Sequence, residues 1–135
     1  MVRRDEGTMP IAAALVTRFF QLLTNRQFAE AEREIERLNK NVKKNEFNRG
    51  FLRALDGMIL AHRSNDDQYV FLSNTNLKDK QELVKYRREF SGHVKNKLHS
   101  DYDRGFFKAW TEYMRVLIKL EDNRKPKTII QAKLG

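Results

Sequence analysis

The chain spells one eleven-residue pattern twice. "NEFNRGFLRAL" runs from Asn45 to Leu55 and "SDYDRGFFKAW" from Ser100 to Trp110, in step at an offset of 55 residues. The columns pair an acid or Asn at 46/101 and 48/103, aromatics at 47/102 and 51/106, and Arg-Gly at 49–50/104–105. They continue with a base at 53/108, Ala at 54/109 and a bulky apolar residue at 55/110. Apolar positions separated by three and four residues indicate a helix. Each copy reads as the start of the second helix of a hairpin, with the acid favoured by the positive helix end. Gly inside a helix costs about 1 kcal/mol relative to Ala. Gly50 and Gly105 therefore need compensation, and the economical one is steric. A residue without Cβ lets a partner helix approach closely, with Phe51/Phe106 and Ala54/Ala109 filling the adjacent layer.

The remaining stretches supply the other helices. Thr8 and Pro10 suit a helix start, and Ile11, Leu15, Phe19 and Leu22 follow at helical spacing to an end near Thr24. "TNRQ" puts Gln27 three residues after Thr24, a capping box for a second helix whose stripe is Phe28, Ala31, Ile35, Leu38 and Val42. Helix three presents Phe47, Phe51, Leu55, Met58 and His62, with Ala54 and Ile59 beside them. Residues 64–77 read as a loop around the short apolar run Tyr69 to Leu72. Helix four uses Leu83, Tyr86, Phe90, Val94 and Leu98. Helix five runs from about Asp101 through Tyr102, Phe106, Ala109, Tyr113, Leu117 and Leu120 until Pro126 ends it. The expectation is an all-α, five-helix bundle made of two repeated antiparallel helical hairpins plus an N-terminal helix. One helical domain spans 1–122 and a basic tail spans 123–135.

Helix five has a second apolar stripe, Phe107, Trp110, Met114 and Ile118. Either helix one covers it, which is the expectation, or it meets a protein partner or a second copy of the chain. The order aromatic, Gly, aromatic, Ala, bulky apolar residue is similar to that in tetratricopeptide-repeat helices. Those units recur at about 34 residues, so the resemblance implies the packing logic alone.

Net charge is +9, with 27 Lys and Arg against 18 Asp and Glu. A chain so basic is attracted to polyanions, phosphate backbones first. Cysteine is absent, which removes disulfides, thiolate metal sites and cysteine nucleophiles and is compatible with a cytoplasmic setting. The apolar run Ile11 to Val16 is too short to span a membrane. No calcium-loop, HExxH, Walker or nucleophile-elbow pattern occurs, so neither a metal nor another cofactor is expected and catalysis has no clear address.

The cations gather at the two expected hairpin tips. Lys40, Lys43, Lys44 and Arg49 surround the first, and Lys95, Lys97, His99 and Arg104 the second, while Arg124, Lys125 and Lys127 belong to the tail. If the hairpins pack side by side in the same sense, both tips share one basic surface. A non-enzymatic protein contacting nucleic acid through phosphates, RNA in particular, is the expectation, with a helical adaptor docking through helix five as the alternative. For Arg49 and Arg104 the competing role is structural, an ion pair to a carboxylate on the preceding helix such as Glu36 or Glu89. His62 reads as a hydrogen-bonded core residue.

"RREFSGH" sets Arg88 and His93 apart by four residues, and this resembles the Arg-x4-6-His motif of HEPN ribonucleases. That resemblance implies metal-independent RNA cleavage at a helical dimer junction, with His93 moving a proton and Arg88 on the phosphate. Gly92 departs from a regular helix just before the histidine.

Overall fold

The computed structural model describes residues 13–63 and 79–134, with side chains over 14–63 and 79–123. Thr8, Pro10 and the Tyr69 to Leu72 run lie outside the described residues. Among these residues five helices follow in order: α1 (Ala13–Thr24), α2 (Phe28–Asn41), α3 (Glu46–Arg63), α4 (Lys80–Lys95) and α5 (Asp101–Leu134). Among the described residues there is no strand.

The ends of these helices follow local chemistry. Asn45 and Ser100, which open the two copies of the repeat, are the caps of α3 and α5. The Asn45 side chain accepts the Asn48 N–H at 2.8 Å and the Ser100 hydroxyl accepts the Asp103 N–H at 3.1 Å. Asp79 caps α4 by accepting the Gln81 N–H at 3.0 Å. The capping box expected at α2 does not form. The Thr24 hydroxyl donates back to the Gln21 carbonyl and the Gln27 amide to Glu30. Here the chain turns by closing α1 instead. Arg26 sits at φ 61°, its N–H bonds the Leu23 carbonyl, and the Gln27 N–H bonds the Leu22 carbonyl. This is a Schellman motif with Arg in the position glycine favours.

Helices α2 and α3 run antiparallel, since Arg63 near the end of α3 pairs with Glu32 near the start of α2 at 2.8 Å. Helices α4 and α5 are also antiparallel, from the Lys80–Asp122 pair at 2.7 Å to the Arg104–Val94 contact at the turn. The contact between α3 and α5 decides the architecture. A Cβ built on Gly50 would overlap the Tyr102 carbonyl, and one on Gly105 would overlap the Phe47 carbonyl. The two contacts exchange equivalent positions of the repeat. Further along, His62 meets Tyr113, so α3 and α5 run parallel with their first turns touching. Both glycines thus face backbone, as their cost required.

The core is one cluster drawn from every helix, with Phe19, Phe20, Leu38, Phe51, Leu55, Met58, Leu83, Trp110 and Tyr113 at its centre. Helix α1 lies mainly on α2 and reaches α5 where Phe20 stacks on Tyr113 at 5.2 Å. Three expectations are corrected here. Of the stripe Phe107, Trp110, Met114 and Ile118, the first two are packed by α4, through Phe90 and His93, where α1 was expected. Trp110 and Met114 are interior, at 2% and 1% exposure. The stripe through Tyr102, Phe106 and Tyr113 faces α3 in place of the hairpin partner. Leu98 lies past the end of α4 and is 95% exposed, because Asn96 turns the chain by accepting the Leu98 N–H. Finally, Pro126 does not end α5, which continues to Leu134. One missing N–H leaves one carbonyl, that of Asp122, without its usual donor.

Candidate nucleic-acid interface

Two turns converge at one end of the molecule because the helices that follow them touch at their first turns. The α2–α3 turn carries Lys43 and Lys44, and the α4–α5 turn carries Lys97 and His99. Lys40, Arg49, Lys95 and Arg104 flank them on the adjoining helix ends. Counting both turns with their flanks gives seven Lys or Arg against Glu46, Asp101 and Asp103. Lys40, Lys43, Lys44, Arg49, Lys95 and Lys97 are all exposed.

These groups do not stand equally ready for a ligand. Lys44 reaches the Asn39 carbonyl at 2.8 Å and serves the C-terminus of α2. Arg49 is open, its side chain 68% exposed and 3.8 Å from Glu46 of its own first turn. Its repeat counterpart Arg104 is only 14% exposed and donates its Nε–H to the Val94 carbonyl at 2.8 Å, with Asp101 at 3.5 Å. It holds the last turn of α4 as a cation should at a helix C-terminus. Neither arginine bridges to Glu36 or Glu89; both choose the carboxylate three residues back. Asn48 is buried and donates its side-chain amide to the Lys43 carbonyl at 2.9 Å, which holds the first turn in shape. This anchoring role escaped the sequence reading, although an Asn three residues after another Asn at a helix start was a visible signal.

The tail does not join this surface. Arg124, Lys125 and Lys127 begin 23 residues along α5 from Asp101, about 34 Å at the helical rise. Their side chains lie outside the described ones.

At the second turn His93 Nδ1 and His99 Nε2 lie 3.0 Å apart, and the His93 ring stacks on Phe107 at 4.4 Å. Arg88 is five positions before His93 on α4, about 140° around a helix of 3.6 residues per turn, so the two present different faces. His62 is half-buried with Nε2 2.8 Å from the Tyr113 hydroxyl. Burial, aided by the charge of Arg26, lowers the His62 pKa, and burial raises that of Tyr113. Both stay neutral in the core as a paired donor and acceptor.

Two ionic clusters are spent on structure. Arg18 and Arg37 both donate to one oxygen of buried Glu34, at 3.2 and 3.1 Å. Glu112 takes Lys108 at 3.1 Å and Arg115 at 2.7 Å. Burial opposes its ionisation, yet those two cations hold its carboxyl below the usual range. Among the described residues no group of three His, Asp or Glu is arranged to hold a metal ion, and no helix is long and apolar enough to cross a membrane. No family model, curated protein or solved structure matches the chain.

Proposed function

We propose that this protein binds RNA without catalysis, through phosphate contacts at the end of the molecule where its two turns meet. The observation that carries the reading is the reciprocal Gly50–Tyr102 and Gly105–Phe47 packing, which makes one basic surface out of two separate charge clusters. Lys43, Lys97, Lys40, Lys95 and Arg49 are its phosphate contacts. Arg104 acts behind them by holding the turn. Leu98 adds an exposed apolar point on which an unpaired base can lie.

The test is retention on RNA as a function of salt. Each phosphate contact on a single strand contributes roughly 0.7 to the slope of log affinity against log salt. Lys43→Glu with Lys97→Glu is expected to weaken binding and lower that slope by about 1.4 or more. A slope equal to that of the unaltered chain would remove these turns from the interface.

A further inference from the structure

Gly92 differs from the two glycines of the repeat in what surrounds it. The repeat glycines are compensated by close approach of another backbone, whereas nothing stands within 4 Å of a Cβ at position 92. It is exposed in the last turn of α4, where glycine costs up to about 1 kcal/mol relative to Ala. Among the described residues no close backbone approach offsets that cost.

The position has a distinct surrounding. Gly92 lines an open cleft of about 600 Å³ along one face of α4, with Val84, Arg87, Arg88, Ser91 and Lys95 of that helix and Ile118 of α5. Among the described residues that line it, Arg87, Arg88 and Lys95 are cations and none is an acid. Arg87, Arg88 and Lys95 make no ion pair among the described residues, in contrast to Arg18, Arg37, Lys108 and Arg115, which carboxylates occupy. Val84 and Ile118, both half-buried, provide an apolar floor. Lys95 belongs to the cleft and also flanks the second turn, so the cleft opens from the basic end of the molecule.

We infer that this cleft receives one nucleotide unit of a single RNA strand, its base on Val84 and Ile118 and its phosphates on Arg87, Arg88 and Lys95. Gly92 lets the strand lie against the helix backbone, and the Ser91 hydroxyl is there to donate or accept. The occupant has both an apolar face and negative charge, matching floor and rim. A base can enter only when unpaired, because in a duplex its faces are stacked and its edge is engaged. The inference rests on the RNA-binding reading above and specifies the form of RNA.

Anisotropy of a short labelled single strand of mixed sequence tests it, against the same strand in a duplex and against inorganic polyphosphate, which has no bases. The unaltered chain is expected to prefer the single strand. Gly92→Leu fills the cleft from open space and should weaken single-strand binding roughly tenfold, with polyphosphate affinity unchanged. Arg87→Ala with Arg88→Ala alters only exposed side chains and should also reduce the preference, so the test survives a folding defect in the first variant. Equal affinity of the unaltered chain for strand and duplex, or a preference intact in both variants, overturns the inference. Polyphosphate binding lost in Lys43→Glu with Lys97→Glu, together with an inert cleft, leaves the turns as the interface without it. No binding of any polyanion by the unaltered chain overturns both readings.

Discussion

Three glycines of the same type in the same kind of element have opposite consequences, and the difference lies in what surrounds each Cα. Gly50→Ala or Gly105→Ala would push a methyl group into a carbonyl of the facing helix. Each should lower stability by about 1–3 kcal/mol, the range for overpacking. Gly92→Ala meets empty space and should raise stability by up to about 1 kcal/mol. Urea midpoints of the three variants, compared at unchanged m-value, check the sign of each. His62 supplies a pH effect at the same scale. Its folded pKa lies below the ordinary 6.5, so the unfolded chain binds the extra proton first. The stabilisation is complete above 6.5 and is lost as pH falls toward the folded value. Thermal unfolding should therefore shift down between about pH 7.5 and about pH 5.5, and less so in His62→Gln.

The helices themselves were legible from periodicity, because burying one side of a helix writes apolar residues at every third or fourth position. Their partners were not. Helix α5 carries apolar residues on two sides, and its sequence is silent on which side meets which neighbour. Phe90 and His93 of α4 took Phe107 and Trp110, leaving Tyr102 and Phe106 to α3. Trp110 is the sole tryptophan, so its fluorescence reports on the α4–α5 contact. Trp110→Ala should cost about 3–5 kcal/mol, read from the urea midpoint by circular dichroism. The end of α5 was misread for a related reason. Proline disfavours a helix interior by about 3 kcal/mol, a tendency that does not by itself stop one. Pro126→Ala returns an N–H to the Asp122 carbonyl and should slow amide exchange over the last turns of α5. The Thr24–Gln27 box failed because closing α1 through Arg26 used the same residues first.

At the scale of the molecule, the parallel pairing of α3 and α5 sets the distribution of charge. Had they met antiparallel, the Lys43 and Lys97 turns would lie at opposite ends, and the net charge of +9 would have no focus. The salt dependence of RNA retention is the property expected to follow this pairing. Gly50→Leu, which separates the touching first turns, should reduce RNA retention along with stability, whereas Gly92→Leu should affect the single strand alone. The amino-acid sequence determined the helical class, the repeat, the close-packing glycines and the cationic turns, since each depends on residues adjacent in the chain or on one helix face. It did not determine that Arg49 is open while Arg104 is occupied, that α4 covers Trp110, or that the tail starts far from the turns. Those were decided by which surfaces fit each other in three dimensions, and that fit joins residues whose distance along the chain bears no relation to their distance in space.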